Sequence, residues 1–525
     1  MRDPMHTMAT CFEQVALFFP GGDPKLQESF EQRAYYLDSR NYERERLADI
    51  LKKYHEGLGA NRETFLMIEE LRHKETLAVL TGQQAGVLTG PLYTLFKAIT
   101  VIRLAEEQRK KLGRPVVPIF WIAGEDHDWL EIHKTFFLNS EDKIISCSLP
   151  GDGGGRSVGH QPVPAWDTIE QQLFDLPEGE FKKYVLQHCR QFHEQAENLT
   201  QWFALTLQWL LKRWGLIFFD PMLPEFKQLA APMYEQIIKI YVDVREALTQ
   251  RTKAWVDLGF QAQIQPLGGE VNLFLAKPER RAILNQGQGF YLRGSDEMLD
   301  TDELNALLRK SPGMFSPNVV TRPVVQEFLF PTLAYVPGPG ELNYWAQLGQ
   351  VFSTFGFNMP ILFPRFSGVI LTPSWQKTLN REGLTLRDVY QGLEAHKERC
   401  LRDQDSLEID NRLQCLRAAI EKGYKELEPL EKIHSNVHEL LTRNEEKVGY
   451  QIEYLRKKLW QAQRKKYGSV LNRLQKLEAG IAPNKERQER VLNPLYFVVL
   501  YGEGFIERIA ELPLTGDFQE QVILL

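Results

Sequence analysis

Four ionisable residues in succession, Glu125, Asp126, His127 and Asp128, follow directly on the apolar run of "PVVPIFWIAGEDHDWLEIH". Charged groups at the carboxyl end of a buried strand are hard to explain by packing. Carboxylates there can hold an ammonium group, a ribose hydroxyl or a metal ion. A histidine there can exchange a proton near neutral pH. The reading assigns catalysis to Glu125, Asp126 and His127, and substrate contact to Asp128 and Trp129. The plainer alternative is a solvated loop whose Asp caps the next helix. No metal is assigned: His127 and His133 lack the H-E-x-x-H spacing, and no cysteine pair supports zinc.

A second stretch, "VLTGQQAGVLTGPLYTLFKA", places Gly82, Gly86 and Gly90 in one strand-to-helix turn. Glycines let backbone N–H groups approach a ligand without a Cβ clash. The helix opening at Pro91 offers free N–H groups and a partial positive charge, which suits phosphate. Gly82, Gln83, Gln84, Thr89, Gly90 and Tyr93 are therefore expected to hold a nucleotide, and Lys97 could neutralise charge. The turn fits neither the Walker pattern nor G-x-G-x-x-G, so a purely structural turn is the rival reading. A third stretch, "AYVPGPGELNYWAQL", offers Gly340, Glu341 and Tyr344 for substrate, with Asn343 beside them at the start of the helix. In "FPRFSG", Arg365 and Ser367 are phosphate candidates. The glycines of "PGDGGGRSVGH" read as a flexible loop, and the aromatic residues of "LTQWFALTLQWLLKRW" as core.

The elements that must position these groups follow from periodicity. "TLAVLTG" and "PVVPIFWIAG" are buried strands, and the 91–113 stretch between them is a helix from Pro to Gly. Strand, helix, strand predicts a parallel unit. The pattern recurs at "WGLIFFDP" and "PTLAYVPGPGELNYWAQLGQVF". "QAQIQP", "VNLFLA" and "GFYLR" read as a small antiparallel insertion, and "MPILFPRFSGVIL" as a last strand pair. The expected fold is α/β: a doubly wound, Rossmann-like core over residues 76–376, with insertions at about 140–215 and 260–295. Residues 1–75 form a helical segment packing on the core.

From 377 to 490 the text is charged and helical. Leu413, Ile420, Leu427, Leu441, Val448, Leu455 and Ala462 keep sevenfold spacing, which predicts an antiparallel coiled-coil arm. Pro429 costs about 3 kcal/mol inside a helix, so the hairpin turn is placed there. The heptad phase slips between Ala462 and Val470. Residues 491–525 turn apolar and are expected to return to the core. An isolated hairpin buries little, so a homodimer through the arm is expected.

The chain has 525 residues, 43% hydrophobic and 25% charged, with a net charge of -6. That balance argues against a nucleic-acid partner, whose footprint would be basic. Five cysteines without a C-x-x-C pair indicate free thiols. No apolar run reaches membrane-spanning length. A cytoplasmic protein with no membrane association is expected.

With these residues assembled, the chain resembles the BshC family, to which a cysteine-ligase role in bacillithiol biosynthesis is ascribed. The resemblance rests on "TGQQAGVLTGPLYTLFKAI", "FWIAGEDHDWLEI", "YVPGPGELNYWAQL", "LFPRFSG" and "RQERVLNPLYFVVLYGEGFI", and covers nearly the whole chain. It implies a Rossmann-like core with connecting-peptide insertions, similar to class I aminoacyl-tRNA synthetases, and a dimerising coiled coil. It also implies the joining of cysteine to glucosaminyl-malate. ATP is the expected cofactor, acting through a cysteinyl-adenylate, with magnesium left open. Tyr93 and Phe96 stand near the histidines of the synthetase HIGH signature. No KMSKS-like loop is visible, and Arg365 and Ser367 lie nearest its position. A transferase using another activated donor and a non-catalytic nucleotide-binding scaffold remain the alternatives.

Overall fold

The structure is a computed structural model and describes residues 2–525 except 278, 296, 404 and 406. Its centre is a five-stranded sheet, every neighbouring pair parallel. The spatial order is Ile361–Leu362, Thr332–Tyr335, Leu77–Gln83, Val116–Ile122, Ile217–Phe219. Both faces are covered, as the continuous apolar runs require. Leu77 and Val79 enter one hydrophobic cluster while Ala78 and Leu80 enter the other. Phe120 and Trp121 divide in the same way.

The chain builds outward from Leu77–Gln83 on one side, then returns to pair Thr332–Tyr335 on its other side. The direction of winding thus reverses between these two strands. In an open parallel sheet that reversal leaves a crevice at the carboxyl ends of the strands. The helix Leu92–Leu112 follows the first strand and ends at Gly113 in the left-handed conformation, with Arg109, Lys110 and Lys111 in its last turn.

Two details of the sequence reading need correction. "QAQIQP" forms no strand. The Gln263 and Ile264 amides instead donate to Gln347 Oε1, each at 3.0 Å. The antiparallel sheet has five strands, including Arg280–Asn285, whose two arginines masked its alternation. "MPILFPRFSGVIL" contributes strands to two different sheets. Ile361–Leu362 joins the central sheet, and Ser367–Leu371 pairs in parallel with the C-terminal strand Glu520–Leu524. The 134–148 hairpin, Lys134–Leu138 with Ile144–Ser148, had not been read from the sequence. In the helix Leu199–Leu210, Trp202 and Phe203 are core residues.

The arm consists of Ile409–Leu427 and Val437–Lys466, joined by the Glu428–Ile433 turn that contains Pro429. The second arm helix stops at Tyr467, between Ala462 and Val470, and Gly468–Ile481 continues from there. The helix Pro494–Tyr501 returns to the core, with Phe497, Val498 and Val499 fully buried. At the other terminus, Arg33 on the helix Gln27–Asp38 pairs with buried Glu327 at 2.5 Å and donates to the Thr332 carbonyl. That contact fastens the N-terminal segment to the sheet.

His55 joins the helix Arg44–Gly57 to the edge strand. Its Nδ1 bonds the Leu51 carbonyl at 2.8 Å, and its Nε2 accepts from the Phe218 amide at 3.0 Å. Accepting at Nε2 requires the neutral ring, and burial lowers its pKa from 6.5 to about 4. Below pH 6.5 the unfolded chain takes the proton and the folded chain does not, so stability is lost as pH falls towards 4. Urea unfolding of the wild type and His55→Gln across this range should show the wild-type advantage shrinking by about 3 kcal/mol. Parallel pH profiles would contradict the assignment.

Candidate active site

A cavity of about 420 Å³ opens at the crevice between Leu77–Gln83 and Thr332–Tyr335. Its size suits a small-molecule site. Gly82, Gln83, Gln84 and Tyr93 line it from the first motif, and Glu125 and Asp126 from the second. Gly340, Glu341 and Tyr344 come from the third, joined by Arg365.

The organising group is Lys97, two turns into the first crossover helix and only 3% exposed. Its ammonium donates to the Gly82 carbonyl at 2.8 Å and to Gln83 Oε1 at 2.9 Å, and it pairs with Glu341. Burial lowers the Lys97 pKa, and the Glu341 carboxylate opposes that shift. Glu341 in turn accepts from the Tyr335 hydroxyl at 2.8 Å and caps its own helix through the Gly338 amide at 2.7 Å. The glycine of the first strand matters here. A Cβ on Gly82 would lie 3.3 Å from the Trp121 carbonyl oxygen and 3.5 Å from the Tyr335 hydroxyl.

The phosphate cradle expected at Thr89 and Gly90 is not formed. The Leu92 amide donates to the Leu492 carbonyl at 2.8 Å, and Gly90 N–H to Val87 O at 2.9 Å. Asn493 Nδ2 donates to the carbonyls of Leu88 at 2.7 Å and Gly90 at 3.0 Å. Leu88, Thr89 and Gly90 all have positive φ, and this strained turn is buried under the C-terminal segment. The helix end is therefore sealed by protein, and Thr89 and Gly90 lie outside the cavity.

The acidic motif divides. Glu125 is buried against Lys227, which also donates to the Phe315 carbonyl at 2.8 Å. Its charge is consumed in that pair, which corrects its assignment as a proton-transfer group. Asp126 faces the cavity and accepts from Gln84 Nε2 at 3.2 Å. His127 and Asp128 are exposed and do not line the cavity. His127 Nδ1 meets Arg280 Nη1 at 3.2 Å, and the Arg280 guanidinium stacks on Phe274 at 3.7 Å. Trp129 donates to the Gly151 carbonyl at 2.9 Å and packs on Gly153. It pins the glycine-rich loop and stays away from the cavity.

Arg365 lines the cavity, but its fork is occupied. It binds Glu489 in bidentate fashion at 2.9 and 2.6 Å, and Ser367 donates to the same carboxylate at 3.0 Å. The phosphate role given to these two residues is corrected accordingly. Asn343 is also structural, accepting from Trp255 at 2.8 Å and donating to the Gln261 carbonyl at 2.9 Å.

Four ionisable lining residues went unassigned at the level of sequence: Glu131, Arg322, Tyr335 and Arg490. Glu131 and Arg490 lie inside strings already quoted, two residues from Trp129 and one from Glu489, so proximity in the motif was their only signal. Arg322 stands over the rings of Trp121 and Tyr335, at 5.6 and 5.3 Å. Its Nη2 is buried without a hydrogen-bond partner, as is Gln84 Oε1. Burial opposes the charge of Arg322, but Tyr335, Tyr344 and Glu341 outweigh it and raise its pKa. Glu131 accepts from Gln83 Nε2 at 3.4 Å. Desolvation, then Asp128, raises its carboxyl above the usual range. Burial likewise raises the Tyr93 and Tyr344 hydroxyls, so both stay protonated.

An open parallel sheet with a polar cavity at its switch point, carrying a coiled-coil arm, defines a two-part Rossmann-like architecture. Family profiles match both parts. "Bacillithiol biosynthesis BshC, N-terminal Rossmann-like domain" covers residues 5–366, and the "C-terminal coiled-coil domain" of the same family covers 368–525. The chain belongs to the BshC family. A Symbiobacterium thermophilum protein named "Putative cysteine ligase BshC" is 34% identical over 524 residues, spanning 96% of this chain and 94% of the relative. Proteins of the same name from a Geobacillus strain and from Bacillus cereus are each 33% identical, over 95% of this chain and 94% of the relative.

Proposed function

We propose that this protein is an amide-forming ligase that joins the carboxyl group of cysteine to the amine of glucosaminyl-malate with consumption of ATP. The observation that carries the reading is that charges of both signs face the cavity outside its buried ion pairs. The buried pairs of Lys97, Arg365 and Glu125 are closed, whereas Asp126, Glu131, Arg322 and Arg490 face the cavity. A zwitterionic amino acid and a polyphosphate need both signs. Asp126 and Glu131 would hold the cysteine ammonium, and Arg322 and Arg490 the anionic groups. Tyr344 and Gly340 would line the acceptor side. Membership of a family whose relatives are named cysteine ligases supports the same assignment.

ATP is a co-substrate in this scheme. The cysteine carboxylate attacks the α-phosphorus and pyrophosphate leaves, giving cysteinyl-adenylate. The acceptor amine then attacks the acyl carbon, AMP leaves with the bridging oxygen, and the amine proton passes to a carboxylate. Glu131, with its raised pKa, suits that proton transfer. Magnesium would enter as the counter-ion of the polyphosphate. Arg322 and Arg490 replace the sealed helix end as the anion contacts, and catalysis is mainly positioning and charge stabilisation.

Incubation with cysteine, ATP and glucosaminyl-malate should yield one AMP per amide formed. Arg322→Ala should lower kcat/KM about 100-fold, and Asp126→Asn should do so for cysteine. His127→Ala, on an exposed ring, should stay within about threefold. A strong loss at His127 with wild-type activity in Arg322→Ala would overturn the assignment.

The arm is proposed to pair with a second copy. Among its described residues, Val437–Lys466 has no buried side chain, and Leu416, Leu427, Leu440, Leu455 and Leu459 are exposed. A heptad seam this open needs a partner. Light scattering should give a dimer for the wild type and a monomer for the Leu455→Lys, Leu459→Lys double variant; a dimer in both would refute the pairing. No described helix is long and apolar enough to cross a membrane. A cytoplasmic setting follows from the reading of free thiols.

A further inference from the structure

Where the arm leaves the core, three side chains of metal-ligand type converge. Glu382 ends the helix Pro373–Glu382, and His396 and Cys400 lie one turn apart on Glu394–Asp403. His396 Nε2 is 3.6 Å and Cys400 Sγ 3.9 Å from the same oxygen, Glu382 Oε2. One ligand atom from each of the three residues lies within 4.8 Å of the others.

The histidine is the telling member. Its side chain is only 10% exposed, and Nε2 is buried without a hydrogen-bond partner. A separation of 3.6 Å is too long for a hydrogen bond. A buried polar atom left unpaired is costly and calls for an explanation. Bonds of about 2.0 Å to nitrogen and oxygen and about 2.3 Å to sulfur place tetrahedral ligands about 3.3–3.6 Å apart, close to the spacing seen here. The donor set of imidazole, thiolate and carboxylate matches a borderline-soft divalent cation.

We propose that Glu382, His396 and Cys400 bind one divalent cation of the zinc class, with water as the fourth ligand. The Cys400 thiol proton leaves to solvent on binding. His396 presents the Nε2 lone pair and keeps its proton on Nδ1. Arg399, now 2.7 Å from Nδ1 and on an exposed side chain, turns away. Arg473 Nη2, 3.6 Å from Glu382 Oε1, orients the other carboxylate oxygen. The ion would fasten the helix Pro373–Glu382 to the helix Glu394–Asp403 that precedes the arm, beside the link from Lys397 to Glu478. The role is separate from the cavity and does not depend on the reaction proposed there.

The test uses the full chain, stripped with a chelator and titrated with zinc and then cobalt. Elemental analysis should find one zinc per chain, and cobalt should give a thiolate-to-metal charge-transfer absorption. Cys400→Ser should abolish that absorption, and both Cys400→Ser and His396→Gln should weaken zinc binding at least tenfold. Cys415→Ser, at an exposed cysteine, should bind as the wild type does. Circular dichroism checks that the variants fold, and Cys400→Ser carries the test if His396→Gln does not. Absence of a retained ion in the wild type, or wild-type binding by folded Cys400→Ser, would overturn the proposal.

Discussion

The cavity depends on one buried ammonium. Lys97 reaches from the first crossover helix to the end of the central strand and to Glu341 on the far side of the switch point. Removing that charge from water is tolerable only with its partners in place. The same device recurs on the other walls. Arg365 is tied to Glu489 and Glu125 to Lys227, each joining segments more than 100 residues apart. These closed pairs hold the walls, and charges outside them line the cavity. Residues that look catalytic by type are therefore partly structural, and the open charges stand beside them.

That division explains what the sequence could reveal. Continuous apolar runs ending in glycine marked the two central strands, because strands buried on both faces carry no polar alternation. The crossover helix was legible from its proline start and basic, glycine-terminated end. Convergence of the three motifs followed from strand polarity alone. The glycine turn was misread for a physical reason. The Leu92 amide is capped by the Leu492 carbonyl and the Leu88 and Gly90 carbonyls by Asn493, and contacts spanning about 400 residues leave no local trace. Glu125 could not be told from Asp126 by type. Only the fold brings Lys227 to one and leaves the other facing the cavity.

The arm shows the same limit at a larger scale. Heptad spacing and Pro429 defined two helices and their turn, and the phase slip marked the helix break at Tyr467. What the spacing could not show is which apolar side chains the hairpin leaves exposed, Leu440, Leu455 and Leu459 among them. Cys400 carried no signal either, since cysteines without a near neighbour suggest no ligand set. It acquires meaning only because Glu382 and His396 are folded against it.

The most direct test of the account follows oxygen. Cysteine labelled with ¹⁸O in both carboxylate oxygens would be turned over with ATP and glucosaminyl-malate, and the nucleotide products weighed by mass spectrometry. Activation at the α-phosphorus places one ¹⁸O in each AMP released and leaves the other in the amide. Label found in inorganic phosphate alongside ADP, or unlabelled AMP, would contradict it.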